Sequence, residues 1–245
     1  MDFATYEVEA QVEATHWWFV GRRKLFRSIV ENIGIASSVA ILDIGTSTGT
    51  NLRMLREAGF TNVRGLDLHE EAIRWCADKG LGHVDKGDIC NIPSANNVYD
   101  LVLATDIIEH VDDDVAALRE VTRVLKQNGR AIITVPAFQS LWGLQDTVSH
   151  HKRRYRKQEL VDKLSQVGLV TDECFYFNYL LFIPIWFARQ LIRLLGLKLS
   201  SENELNSLVI NKILSFIFSF DISTARQINP PFGVSVLAVV RKIDT

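Results

Sequence analysis

Val39-Ala-Ile-Leu-Asp-Ile-Gly-Thr-Ser-Thr-Gly-Thr50 is an apolar run that breaks at Gly45 into a loop of small residues. Val39 to Ile44 has the character of a buried strand, and a helical pattern starts at Asn51 and carries on through Glu57. A strand that turns at a glycine and feeds a helix brings bare backbone N–H groups close to a ligand. Asp43 narrows the choice of ligand. A carboxylate two residues before the first glycine repels a pyrophosphate but suits a molecule carrying an ammonium group and a sulfonium. Spacing excludes two neighbouring motifs. A dinucleotide loop needs Gly-x-Gly-x-x-Gly, whereas these glycines fall at 45 and 49. A P-loop ends in Gly-Lys-Ser/Thr, and no lysine lies between 40 and 60.

Further strands extend the pattern. Val63 to Asp67 is a short strand ending in an acid, placed where a doubly wound sheet puts the carboxylate that accepts ribose hydroxyls. Gly87-Asp88-Ile89 closes a third strand, and Asp88 is positioned to take the exocyclic amine of an adenine. Tyr99 to Thr105 is a fourth, followed by Asp106 and Glu109-His110. Asp112 to Gln127 is amphipathic and is expected to be one helix ended by Asn128-Gly129, before a fifth strand from Ala131 to Val135 and Pro136. Strands alternating with helices predict an α/β fold with a mostly parallel sheet whose ligands sit at the strand carboxyl ends.

Taken together, Leu42-Asp43-Ile-Gly45-x-x-x-Gly49, Gly65-Leu-Asp67, Gly87-Asp88, Tyr99-Asp100-Leu-Val, Glu109-His110 and Glu120-x-x-Arg123-Val-Leu-Lys-x-x-Gly129 resemble the class I S-adenosylmethionine-dependent methyltransferases. The similarity covers about residues 39–170 and is strongest to the type 11 branch, which includes ubiquinone and menaquinone biosynthesis methyltransferases. It implies a Rossmann-like seven-stranded sheet of order 3-2-1-4-5-7-6 with strand 7 antiparallel. It also implies a cofactor site in which Gly45, Thr46, Ser47 and Gly49 wrap the methionine half and Asp43 faces the ammonium. Asp67 with Leu68 would hold the ribose side, Asp88 and Ile89 the adenine, and Thr105 and Asp106 the floor near the methyl group. One departure stands out. The family loop reads Asp-x-Gly-x-Gly-x-Gly, and Ser47 replaces its middle glycine, which costs energy wherever that position needs positive φ.

At 245 residues and 47 % hydrophobic, the chain can bury one substantial core, so residues 1–245 are expected to form a single domain. It divides into an N-terminal helical arm (1–36), a cofactor-binding core (37–177), an apolar helical insertion (178–225) and a final strand (226–245). A net charge of −2 argues against a nucleic-acid surface, the basic knot of Arg153, Arg154 and Arg156 notwithstanding. Cys76, Cys90 and Cys174 are scattered and lack metal spacing, so no metal site is expected. They fit a reducing cytosol, and with no apolar leader the expected location is cytoplasmic.

Three additions individualise the chain. The arm from Tyr6 to Ile33 carries His16-Trp17-Trp18-Phe19, with Trp18, Arg22 and Phe26 on one side of a helix. It is either a packed cap or a lid that brings Arg22 to the methionine carboxylate. The segment Pro136 to Tyr155 leaves the fifth strand beside the expected methyl group, and it resembles the Asp…His-x-Arg-Arg-Tyr segment of this branch. His151 is the candidate general base with Asp146 orienting it, and His150 is the runner-up, because a histidine titrates near neutrality. These side chains could equally do no more than pin a loop. His110 reads as wall. The third addition separates a sixth strand, Leu169–Phe177, from a seventh, Gly233–Val240. A spanning helix needs ~20 apolar residues, and Pro184 and Arg189 interrupt the first apolar run, which also carries Arg193 and Lys198. Ser201-x-x-Glu204 is a capping-box pattern before a second apolar helix from Leu205 to Phe220. A substrate lid, a homodimer face and an in-plane membrane contact through 179–220 all remain open.

These readings converge on methyl transfer from S-adenosylmethionine (leaving S-adenosylhomocysteine) to an oxygen of a small or lipid-linked acceptor. Two rivals stand beside them: a non-catalytic cofactor-binding partner subunit, and a nicotinamide-dependent oxidoreductase, whose phosphates would meet Asp43.

Overall fold

The computed structural model describes residues 10–195 and 207–243. A seven-stranded sheet runs in the order β3-β2-β1-β4-β5-β7-β6. Its strands are β1 Ile41–Ile44, β2 Val63–Asp67, β3 Val84–Lys86, β4 Tyr99–Thr105, β5 Leu125–Pro136, β6 Leu169–Phe177 and β7 Ser235–Lys242. The pairs from β3 through β5 are parallel, and β7 pairs antiparallel with both β5 and β6. This is the Rossmann-like architecture expected from the sequence.

Side-chain alternation on these strands builds two cores. Val102 and Ala104 of β4 and Ile133 and Val135 of β5 point to one face. There they pack on the helices α4 (Asp114–Val124) and α6 (Lys157–Gln166). Leu101, Leu103 and Ile132 point to the other face. That face is covered by α1 (Trp17–Ile33), α2 (Thr50–Glu57) and the long α8 (Leu208–Ile228). Helices α3 (Glu70–Asp78), α5 (Leu144–Val148) and α7 (Phe182–Leu195) complete the set used below.

Several expected boundaries are corrected, among them the first strand, which starts at Ile41, and the insertion's second helix, which runs past Phe220 to Ile228. The helix expected over 112–127 spans only Asp114–Val124, and Leu125 already pairs with Tyr99 as the start of β5. Leu125 is fully buried, so extending the chain there seals the end of β4. Asn128-Gly129 then lies in a bulge inside β5, where the register skips from Leu125 to Arg130, and Asn128 takes a φ of 61°. β3 ends at Lys86, with Gly87 just beyond it donating its N–H to Asp67 O at 3.0 Å. β7 starts two residues late because a Cβ on Gly233 would sit 2.5 Å from Phe177 O, so Gly233 belongs to the close crossing before the strand.

The arm and the insertion meet each other. The Phe218 ring of α8 lies 5.2 Å from both Trp17 and Trp18, and Gly21 of α1 leaves the room for it. The outer faces are another matter. Among the described residues, α7 buries none of its side chains, and α8 buries Phe218, Asp221 and Ala225. Helix α8 is capped by Ser207, whose side chain accepts from Ile210 N. Tyr6, Lys198, the Ser201-to-Glu204 pattern and Leu205 lie outside the described residues.

Candidate active site

A cavity of about 810 Å³ opens at the carboxyl ends of β1, β2 and β4. Its first end is the loop after β1. Gly45 and Gly49 adopt φ of 71° and 84°, and a Cβ there would strike Ile107 at 2.9 Å or Leu81 at 2.5 Å. Ser47 also takes a positive φ, 49°, so the serine occupies the conformation that a glycine adopts freely. Its N–H donates to Asp67 Oδ2 at 2.9 Å, while Asp67 Oδ1 accepts from His69 N at 2.9 Å. The Asp67 carboxylate is thereby fixed at the cavity wall beside Leu68, Asp88 and Ile89.

Asp43 stands one layer behind this wall. It is fully buried, and its Oδ1 accepts from Asn51 Nδ2 at 2.9 Å, which also bonds Thr105 Oγ1 at 3.1 Å. Its Oδ2 has no hydrogen-bond partner among the described residues. Burial pushes the carboxyl up to about 7, with the Asp67 charge adding to the rise and the Asn51 hydrogen bond opposing it. A buried acid with an empty oxygen suits a cationic ligand, whereas the expected bare amides are absent at Gly45, Thr46, Ser47 and Gly49, which donate to Leu66 O, Leu66 O, Asp67 Oδ2 and Thr46 O. Thr46 and Thr105 line the cavity, whereas Gly49 shapes the loop from behind.

Arg22 enters from the arm. It is sandwiched over the rings of Trp18 (5.5 Å) and Phe26 (5.2 Å) and is ion-paired with Asp106. Asp106 itself takes a φ of 53°. Sequence reasoning missed Glu13, a buried acid that ties the arm to the cofactor loop. It is bonded to Thr48 Oγ1 and lies 3.1 Å from Arg53 and 2.9 Å from Lys79. No local pattern announces such a contact, because its partners lie far along the chain, in the loop after β1, on α2 and just past α3.

The second end holds the histidines. His151 Nδ1 lies 2.8 Å from Asp146 Oδ1. Asp146 is buried and also receives Arg154 at 2.8 and 2.9 Å and Gly143 N at 2.7 Å. Burial alone would raise the Asp146 carboxyl, but the hydrogen bonds from His151 and Arg154 and the Arg154 charge hold it well below the usual range. His151 Nε2 faces Glu109 Oε1 at 4.0 Å and packs edge-on against His110, centroids 4.6 Å apart. Both Glu109 oxygens are buried without hydrogen-bond partners among the described residues. Burial, helped by the Asp106 charge, raises its carboxyl well above the ordinary value. His110 is pushed down to about 3 by burial and by His151, and its ring also bonds the Ser149 backbone. His150 lines the same cavity with a φ of 56°. Glu109 is a second group that residue-by-residue reasoning passed over as a site, although the Glu-His pair had flagged it.

Comparison with known proteins agrees with this geometry. Residues 42–133 match the methyltransferase domain family. A demethylmenaquinone methyltransferase of Thermotoga maritima is 32% identical over 110 residues, covering 44% of this chain and 48% of that protein. A sterol 24-C-methyltransferase of Aspergillus fumigatus is 30% identical over 108 residues, 41% of this chain and 29% of that one. The chain thus spans about half, or less, of the length of these curated relatives. The fold matches an S-adenosylmethionine-dependent methyltransferase from Mesorhizobium loti at a TM-score of 0.55 and 15% identity, covering 84% of this chain and 91% of that one. It also matches the [4+2]-cyclase SpnF at 0.61 and 16%, covering 91% and 81%. The second likeness shows why the fold alone does not name a reaction. Motif, sheet order and loop geometry agree with the match of residues 42–133 to the methyltransferase domain.

Proposed function

We propose that the protein methylates a hydroxyl oxygen on a small or lipid-linked acceptor, using S-adenosylmethionine and with His151 as general base. The observation that carries the reading is the His151–Asp146 pair, which lies in the cavity that also contains the Gly45–Ser47 loop and Asp67. When bound, S-adenosylmethionine supplies a methyl group already activated on a sulfonium.

The chain's residues then have separable tasks. The small-residue loop shapes the wall against which the nucleoside rests, and Asp67 holds its ribose, with Asp88 and Ile89 at the base. Arg22 accepts the methionine carboxylate in exchange for Asp106. Asp146, held ionised, takes the Nδ1–H of His151 and leaves Nε2 as the basic nitrogen. Nε2 would take the acceptor's hydroxyl proton as that oxygen gains the methyl group which bound S-adenosylmethionine would supply, leaving S-adenosylhomocysteine. Trp17, Phe19, Ile192 and Leu214, which line the same cavity, supply an apolar wall suited to a greasy acceptor.

The test is purified protein with methyl-labelled S-adenosylmethionine and an extract of acceptors. Label should enter an organic-soluble product, and His151→Ala should cut that turnover by about 10²–10⁴-fold without changing cofactor affinity. Undiminished turnover in His151→Ala removes the base from this loop. Cofactor binding with no transfer to any extract makes the protein a binding subunit.

One observation favours a variant of the proton step. Glu109, His110 and His151 each place one ligand atom within 4.8 Å of the others, and both rings are already held by other partners. A divalent cation there would lower the acceptor's pKa in place of a base. A chelator would abolish turnover in that variant and leave base catalysis intact.

A further inference from the structure

We propose that the outward faces of α7 and α8 dock on an anionic lipid surface, so that the acceptor end of the cavity opens at the membrane. The docking stands on the surface itself, and only the delivery of an acceptor rests on the function proposed above. On α7, Ile183, Phe187, Leu191 and Leu194 recur at three- and four-residue spacing and are exposed, Leu194 by 83%. On α8 the stripe is Val209, Ile213, Phe216 and Phe220, with Phe216 77% exposed. An apolar area of this kind on two helices exceeds the scattered exposed leucines of an ordinary surface.

Helix α8 is apolar enough to cross a bilayer, with a mean hydropathy of 1.4, yet only 17% of that window is buried in the protein. It does not cross, because its second half is built into the fold. Asp221 accepts from Asn178 N at 2.7 Å and Leu180 N at 2.8 Å, and Phe218 is clamped between the arm tryptophans. An apolar helix anchored along one side lies on a membrane and does not span it.

Charge selects the kind of lipid. Arg193 and Lys212 are exposed, and Asp221, the one acid within the two helices, is buried. Cations beside an apolar stripe fit an anionic headgroup layer. They oppose pairing with a second copy, which would bring the same cations together. The inner faces add continuity, since Ile185 and Ile192 of α7 and Ile210 and Leu214 of α8, on the same two helices as the exposed stripes, line the cavity. A lipid leaving the bilayer between the helices would stay in apolar surroundings up to the histidines.

The experiment is flotation of the full chain with vesicles of phosphatidylcholine, alone or mixed with phosphatidylglycerol, beside calorimetry with S-adenosylmethionine. The chain should float with the anionic vesicles, less so at high salt. Phe187→Glu combined with Phe216→Glu should weaken that association more than about tenfold and leave cofactor binding unchanged. Three results overturn the proposal: the chain staying in the aqueous fraction with both compositions, the double variant floating like the parent, or light scattering showing a non-floating dimer that the double variant splits. Flotation without cofactor binding would sink the functional reading and leave the docking intact.

Discussion

Ser47 sits in the left-handed region at a φ of 49°, a conformation that costs an L-residue about 1–2 kcal/mol, while a glycine's extra freedom in the unfolded chain returns about 0.4–1 kcal/mol. Ser47→Gly should therefore stabilise the protein by roughly 0.5–1 kcal/mol and tighten cofactor binding. Thermal melts and calorimetry check both, and a destabilised variant would mean that the serine side chain holds the loop. Asp43 gives a pH signature. Its carboxyl keeps its proton up to about pH 7 in the folded protein, whereas the ordinary value is 3.8. The folded state thus binds more protons across that window, and stability falls as pH rises through it. A cationic ligand favours the ionised form, so S-adenosylmethionine should bind more tightly as pH rises through about 7. Asp43→Asn should flatten both slopes, as read by melts and by titration at several pH values. A profile that stays steep in Asp43→Asn would assign the pH dependence elsewhere.

Elements were legible where two local signals agreed. β2, β4 and β6 match their expected ends because an apolar alternation stops at a turn or at a glycine crossing. The helix before β5 ran too long in the sequence because Leu125 satisfies both a helical stripe and a strand, and the tertiary pairing with Tyr99 settles it as strand. The acid-rimmed end of the cavity was legible for the same reason as the strands, since its groups hang on one loop and three strand ends. Glu13, Asn51 and the unpartnered oxygens of Glu109 were not, because their role comes from contacts between distant elements. Gly21 belongs to that second kind. A Cβ there would lie 2.2 Å from the Phe218 ring, which is fully buried between aromatic neighbours and has nowhere to move. Gly21→Ala should cost about 1–3 kcal/mol by overpacking, measured by denaturant unfolding. An unchanged midpoint would show that α1 and α8 slide freely past each other.

Across the whole molecule, the sheet presents its carboxyl ends to one cavity, and the additions that individualise the chain close around it. The arm contributes Arg22, the segment after β5 contributes the histidines, and the insertion contributes the apolar wall. One cavity therefore carries a polar, acid-rimmed end and a greasy end, which is the arrangement a methyl donor and an apolar acceptor require together. The donor end bears the weight of this account, and calorimetric titration of the purified chain with S-adenosylmethionine tests it directly. The expected result is saturable one-to-one binding that Asp67→Ala weakens at least about tenfold, since that change removes a carboxylate fixed by two backbone amides at the cavity wall. An absence of binding heat, or an Asp67→Ala protein that binds as tightly as the parent, would contradict it.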